Sequence, residues 1–186
     1  MSATLTGRTI LVISTNYGPE TAELVRPVTE LRAAGAEVDI AAPEAKPIQP
    51  LTFDTTPAAT VNPTLTFDQI VPDRYDAVVI PGGTLNADAI RMNPTARTTV
   101  NAFAEAGKPV AAICHAPWLL VDAGLAEGKH LTSWKSIAPD LRHAGADWSD
   151  QEVVVDETGG WTLITSRSPD DLPAFIGALT DALGTD

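Results

Sequence analysis

V-A-A-I-C-H-A-P-W, residues 110–118, joins a strand pattern to a helix pattern at one cysteine, and the fold follows from that junction. Its first four residues are small or β-branched and apolar, the pattern of a fully buried strand. Cys114 ends that strand. His115-Ala116-Pro117 then opens a short helical pattern that carries Leu119, Leu120 and Ala123 and closes at Gly124. A strand running straight into a helix forces a sharp turn, and the side chain at the turn is held up above the sheet edge. A thiol there also meets the unpaired N–H groups and positive dipole end of the helix, which favour the thiolate. Cys114 is the single cysteine in 186 residues. The alternative is an inert core cysteine, since the flanking residues are apolar and cysteine is among the most buried residue types.

Upstream of this stretch, Asn93-Pro94 reads as an N-cap with proline at the first helical position. Ala96, Val100 and Phe103 give that helix its buried face and Gly107 stops it. Before it, Ala77–Ile80 is a buried strand ending in Pro81-Gly82-Gly83. Nearer the start, Ile10–Ser14 is a β-branched run followed by a polar turn at Asn16-Tyr17-Gly18-Pro19. Leu24, Val28 and Leu31 fall at i, i+4 and i+7, Gly35 ends that helix, and Glu37–Ala41 resumes as a strand. This is a β-α-β unit, the building block of a parallel sheet. Between Pro43 and Pro72 the pattern loosens. L-T-F-D occurs twice there, at 51–54 and 65–68, and reads as two short strands or edge extensions flanking a turn, not as a repeat array or a domain boundary.

Downstream come Leu131-Thr132-Ser133 and a helix holding Ile137 and Leu141 that stops at Gly145. A hairpin of Glu152–Asp156 and Trp161–Ser166 joins through residues 157–160. The last helix opens on Ser168-Pro169-Asp170-Asp171, a capping-box pattern, and buries Leu172, Phe175, Ile176, Leu179 and Leu183. The expectation is one domain over residues 1–186: a flavodoxin-like, doubly wound α/β sandwich with a mostly parallel sheet, helices on both faces and a nucleophile elbow. Ligands of such sheets bind outside the carboxyl ends of the strands. Cys114, Gly82-Gly83 and the Asn16–Glu20 turn all lie at such ends.

Charge and composition narrow the partners. Twelve Lys and Arg against 24 Asp and Glu give a formal net charge of −12, which argues against nucleic acid and anionic membranes as partners. One cysteine excludes an intrachain disulfide framework and any CxxC pair. No stretch approaches a membrane span. Ile10–Ile13 is too short for the apolar core of a signal peptide, so the cytoplasm is the expected compartment. No His/Cys/carboxylate cluster has ligand spacing, and neither metal nor cofactor is expected.

A cysteine nucleophile needs a base or charge to ionise it, donors for developing negative charge, and a proton donor for the leaving group. The backbone N–H groups of Gly83 and His115 are the candidate oxyanion hole, glycine at 83 allowing close approach of the backbone. The other reading of Gly82-Gly83 is a tight strand-end turn. Of three histidines, His115 is forced next to the thiol, whereas His130 and His143 lie in patterns that read as surface. Glu20 and Glu23, spaced i, i+3, can share one side of a helix start, although acidic residues also suit a first turn for the helix dipole alone. Asp88 by itself passes as a loop aspartate.

Beyond these single positions, the motifs V-V-I-P-G-G (78–83), A-D-A-I-R-M-N-P (87–94), A-G-K-P-V-A-A-I-C-H (106–115), L-T-S-W (131–134), E-V-V-V-D (152–156) and T-S-R-S-P-D-D-L-P-A-F (165–175) resemble PfpI. That is the intracellular protease I family of the class I glutamine amidotransferase-like superfamily, which also contains the parkinsonism-associated deglycase. The resemblance runs in order over nearly the whole chain. It implies that Cys114 is the nucleophile, His115 its adjacent histidine and Glu23, in E-L-V-R-P, the glutamate that hydrogen-bonds the cysteine. Glu20 matches a second acidic position one turn earlier. Asp88, three residues before Arg91, matches the acid that in hexameric members reaches the histidine across a subunit interface, with the stretch after P-G-G one residue longer here than in some members. Ala116 replaces a usual glycine, and the added methyl is expected to narrow the pocket or shift the turn.

Two functions follow. The first is a stress-response, cysteine-dependent enzyme acting on a small carbonyl (deglycase- or glyoxalase-like) or a peptide, as a homodimer or higher homo-oligomer. The second is a non-hydrolytic redox sensor or chaperone using the same thiol. A glutaminase is rejected, because no histidine follows His143.

Overall fold

The computed structural model describes residues 4–184. In chain order its strands and helices are β1 (Thr9–Ile13), β2 (Tyr17–Glu20), α1 (Thr21–Ala33), β3 (Glu37–Ala42), β4 (Gln49–Thr52), β5 (Thr56–Pro57), β6 (Leu65–Thr66), β7 (Ala77–Ile80), α2 (Thr84–Arg91) and α3 (Pro94–Glu105). They continue with β8 (Val110–Ile113), α4 (Pro117–Asp122), β9 (His130–Leu131), α5 (Ala138–His143), β10 (Asp147–Trp148), β11 (Val153–Asp156), β12 (Leu163–Ser166) and α6 (Leu172–Leu183). Seven strands form the central sheet in the order β11-β12-β8-β7-β1-β3-β6. All its neighbours are parallel except the β11–β12 hairpin. This is the mostly parallel α/β sandwich that the sequence predicts.

Because side chains alternate along a strand, each central strand feeds two cores. Ile10 and Val12 of β1 join Leu24, Val28 and Leu31 of α1 and Phe175 and Leu179 of α6 on one face. Leu11 and Ile13 join Val100 and Phe103 of α3 and Leu119 of α4 on the other. β8 is buried on both faces, which is why its sequence reads as an unbroken apolar run. The Asn93 cap forms as expected, its Oδ1 accepting the N–H groups of Thr95 and Ala96 at 2.9 and 3.1 Å.

Three readings need correction. Asn16–Pro19 is not a polar turn: Tyr17–Glu20 is extended and pairs with β4 in a second small sheet, β2-β4-β5. Residues 84–91 are helical, so Asp88 lies within α2 and not in a loop; the segment offers only Ala87 and Ile90 as buried apolar residues, too few to show a period. The capping box at 168–171 does not form. Ser168 makes no side-chain cap, and a short 3₁₀ turn precedes α6, while Asp171 Oδ2 accepts the Arg167 N–H at 3.0 Å. The two L-T-F-D copies do end two short strands, β4 and β6, in different sheets.

Candidate active site

Cys114 carries a φ of +63°, a left-handed conformation that L side chains rarely adopt. The turn is held from three sides. The Cys114 N–H donates to Ser166 O (3.0 Å), its carbonyl accepts from Trp134 N–H (2.9 Å), and Ala116 N–H closes onto Ile113 O (3.0 Å). Such strain persists only where the surroundings over-determine it, and it concentrates at functional sites. The elbow therefore forms as the sequence predicts. Gly82 lies against it: a Cβ there would come within 2.6 Å of both Cys114 Cβ and Glu23 Oε2. At Gly83, with φ of +85°, a Cβ would sit 2.3 Å from Gly18 O. Gly82 thus leaves room for Glu23 beside the thiol, and Gly83 lets the loop approach the backbone of β2. Asn86 pins the same loop, donating to the carbonyls of Pro81 and Gly82 while its Oδ1 accepts from Ser14 and Thr15 at the end of β1.

Glu23, on the first turn of α1, is completely buried. Its Oε2 accepts the Gly82 N–H at 2.9 Å, and among the described residues Oε1 has no hydrogen-bond partner although the carboxyl lies alongside the Cys114 thiol. Burial, with added repulsion from Glu20 and Asp54, outweighs the Gly82 bond and raises its pKa to about 8. Glu23 is thus a neutral acid at pH 7. Burial also pushes the Cys114 thiol up, and an ionised Glu23 pushes it further, while the N–H groups of Gly83 and His115 pull it down. The expected neutral-pH thiolate is therefore not what these surroundings favour. α4, six residues long, offers a small counterweight to burial. The His115 pKa is lowered, chiefly by burial and against the attraction of Asp54. Its Nδ1 lies 3.2 Å from Cys114 Sγ. The resting arrangement is a neutral thiol beside a neutral imidazole, with a protonated carboxyl against the sulfur.

These groups line a cavity of about 620 Å³ that also exposes Glu20, Asp54, Thr84, Trp134, Ser136 and Asp170. Glu20 is held at its rim by the Phe53 N–H, which donates to Oε2 at 2.9 Å. The structure therefore gathers Cys114, His115, Glu23, Glu20 and Gly83 in one place. Asp88 is exposed on α2 and does not line the cavity. His130 bonds Ser149 at 2.8 Å, His143 is exposed, and neither lines the cavity. Ala116 is buried with the α3 and α4 side chains, in ordinary helical backbone, so its methyl narrows nothing. Sequence reasoning missed Asp54, Thr84 and Ser136; the one signal was the L-T-F-D motif that ends at Asp54. Among the described residues no group of three or more His, Cys, Asp or Glu side chains is placed to hold a metal ion, and no helix is long and apolar enough to cross a membrane.

Comparison with known proteins agrees with this geometry. The DJ-1/PfpI family model matches residues 8–182. Deglycase TK1284 of Thermococcus kodakarensis is 39% identical over 167 residues, covering 90% of this chain and 94% of the relative. Protein/nucleic acid deglycase 2 of Escherichia coli is 40% identical over 157 residues, covering 84% and 87%. Drosophila melanogaster DJ-1beta superposes with a TM-score of 0.84 at 29% identity, over 96% of this chain and 91% of that one.

Proposed function

The chain belongs to the DJ-1/PfpI family, and from that premise we propose that it is a cysteine-dependent enzyme in which Cys114 attacks the carbonyl carbon of a small substrate, deglycase-fashion. The observation that carries this reading is the strained Cys114, opening on a cavity with a base, two N–H donors and a neutral acid around one sulfur. As the S–C bond forms, the thiol proton passes to His115 Nδ1 and the carbonyl π electrons move onto oxygen. The N–H groups of Gly83 and His115, which lie against the sulfur, are beside the carbon it attacks and can hold that oxyanion. Glu23, neutral at pH 7, gives the sulfur a hydrogen-bond donor without a competing negative charge. The imidazolium then gives its proton to the departing group as that group's bond to the carbon breaks, leaving a thioester. Water, losing a proton to His115, adds to the thioester carbon, and the S–C bond breaks as sulfur takes that proton back.

A carbonyl on a small adduct suits the cavity better than a long peptide, because among the described residues no inserted segment extends a substrate groove beyond it. The names of the two deglycase relatives support the same substrate class. A homo-oligomer is part of the reading: Leu85 and Met92, on and just after α2, are 45% and 70% exposed on either side of Asp88. A free reactive thiol suits a reducing compartment, the cytoplasm. The test is a panel of methylglyoxal, methylglyoxal-treated peptides, unfolded protein and aminopeptidase reporters, run on wild type and Cys114→Ser. Turnover of the carbonyl substrates that vanishes in Cys114→Ser is expected. Protection of unfolded protein or hydrogen-peroxide sensing, without turnover of any substrate, would instead favour the sensor or chaperone reading.

A further inference from the structure

Among the described residues, two besides the nucleophile adopt left-handed backbone without being glycine. They are neighbours, Phe53 (φ +53°) and Asp54 (φ +58°), at the tip of the β4–β5 hairpin. Asparagine, aspartate and glycine are the residues that hairpin turns of this kind prefer; phenylalanine in that conformation is an outlier. The tip is fixed on both sides. Glu20 Oε2 takes the Phe53 N–H, and the Asp54 carboxylate takes the Thr84 N–H on Oδ1 (2.9 Å) and the Thr84 hydroxyl on Oδ2 (2.6 Å). The strained turn therefore delivers one carboxylate across to the start of α2, where Thr84 Oγ1 lies 3.5 Å from His115 Nε2.

Donor counting then sets a direction. An ionised carboxylate only accepts, so the Thr84 hydroxyl proton is committed to Asp54. What Thr84 offers His115 is a lone pair, and the ring must answer with Nε2–H. Ser136 Oγ, 3.4 Å from the same nitrogen, can serve as a second acceptor and does not oppose that assignment. With Nε2 protonated, Nδ1 carries the lone pair, and Nδ1 is the atom 3.2 Å from the thiol. The opposite tautomer would aim an N–H at a neutral thiol and remove the base.

We propose that Asp54 is a positioning residue for the reaction, holding His115 through the Thr84 hydroxyl in the Nε2–H tautomer that lets Nδ1 take the Cys114 proton. This rests on the reading of Cys114 and His115 given above. It places the orienting acid in the same chain, where the family resemblance points to Asp88 of a neighbouring subunit. Asp54 also lies close enough to attract the imidazolium formed during attack. The other ionisable groups of the cavity are Cys114 itself, Glu20, Glu23 and Asp170.

The test joins NMR of the imidazole nitrogens with kinetics on the hemithioacetal of methylglyoxal and N-acetylcysteine. Three histidines make the assignment tractable, a His115→Gln spectrum identifying the signal. Wild type is expected to show the Nε2–H tautomer, Thr84→Val a mixture and Thr84→Ser the wild-type form. Asp54→Asn, which tolerates the left-handed turn, and Thr84→Val should each lower kcat roughly 10- to 100-fold with little change in KM, and Thr84→Ser should restore most of it. In Asp54→Asn the acid limb of the kcat/KM profile should move to lower pH, because a negative charge beside His115 is gone; a structural defect alone would not move it. An Nδ1–H tautomer in wild type overturns the proposal whatever the substrate proves to be. So does wild-type turnover in Asp54→Asn and Thr84→Val while Asp88→Ala falls. Turnover that survives Cys114→Ser sinks the nucleophile reading itself, a failure distinct from that of Asp54.

Discussion

The two ends of β8 bury carboxyl groups in opposite ways. Cys114 follows its carboxyl end, with Glu23 sealed beneath it, Oε1 unpartnered among the described residues and the pKa raised to about 8. At its amino end Val110 pairs with Leu163, and Leu163 with Asp156. There burial alone would also raise the Asp156 pKa, but the Thr158 hydroxyl, the N–H groups of His130 and Thr158, and Lys129 bring it down to about 2. Lys129 Nζ contacts Asp156 Oδ1 and Trp161 O at 3.2 Å each and the Thr158 carbonyl, and sits 3.9 Å over the Trp161 ring. A carboxyl that keeps an edge of exposure and a full set of donors thus forms a saturated ion pair at one end, and a completely buried one short of donors is a frustrated acid at the other. Satisfied networks make a fold rigid and specific; a buried group left short of partners is a reservoir for chemistry. The contrast matches the rule that parallel sheets keep their sites at strand carboxyl ends.

The largest effect expected is at the frustrated end and leaves the fold alone. Cys114→Ser should lower carbonyl turnover on the order of 10³-fold or more, equivalent to about 4 kcal/mol of barrier, with no loss of melting temperature. A variant of the satisfied end should do the reverse. Asp156→Asn leaves the Lys129 ammonium buried without its counter-charge and should destabilise by about 3 kcal/mol, read in urea unfolding, while turnover per folded molecule holds. If Asp156→Asn lowers turnover at full stability, the division of labour between the two ends is wrong.

pH sharpens the comparison, because the two carboxyls carry opposite signs. Asp156 has its folded pKa below the unfolded value of 3.8, so its contribution is present above about pH 4 and is lost as pH falls through 2. Glu23 has its folded pKa raised from 4.5 to about 8. The folded state holds that proton more tightly, so stability is full below pH 4.5 and declines as pH rises toward 8. Gln cannot titrate. Glu23→Gln should therefore be the more stable protein at pH 7, by on the order of 2 kcal/mol, with the gap closing near pH 4.5. The same variant removes the charge that raises the thiol above pH 8, and its iodoacetamide alkylation curve should shift to lower pH. Melting curves that stay parallel from pH 4.5 to 8 would show that Glu23 is not a buried neutral acid.

Much of the carboxyl-end site was legible because it is built from contiguous sequence. The unbroken apolar run of β8, the lone cysteine and the following Pro117 set the elbow, and Pro81-Gly82-Gly83 marked the loop facing it. What the sequence hid was delivered from elsewhere. Asp54 arrives from a hairpin whose tip opens on Phe53, a left-handed residue where glycine or asparagine would announce the turn. Thr84 and Asn86 belong to α2, whose eight residues bury too little apolar surface to show a period. The direction of the thiol pKa was misjudged for a related reason. A helix N-terminus can be read locally, whereas the burial that chiefly raises the thiol is a product of the assembled fold.

The smallest expected effect concerns Ala116, where the resemblance leads one to expect glycine. Glycine would be required if the residue after His115 had positive φ or faced an approaching backbone. Neither holds: φ is −54° and ψ −31°, the side chain is fully buried among the α3 and α4 residues, and the cavity beside Cys114 is not lined by it. The left-handed step of the turn is taken by Cys114 itself, so the next residue can be ordinary helix and gains from a methyl in the core. Ala116→Gly should then cost roughly 0.5–1 kcal/mol, from the lost methyl contact and the greater freedom of glycine in the unfolded chain. Turnover and KM for small carbonyls should stay within about threefold of wild type, since an effect under 1 kcal/mol on the barrier is less than a factor of ten. A widened substrate range in Ala116→Gly, with bulky carbonyls gaining more than small ones, would place the methyl in the pocket and move this residue from the core to the site.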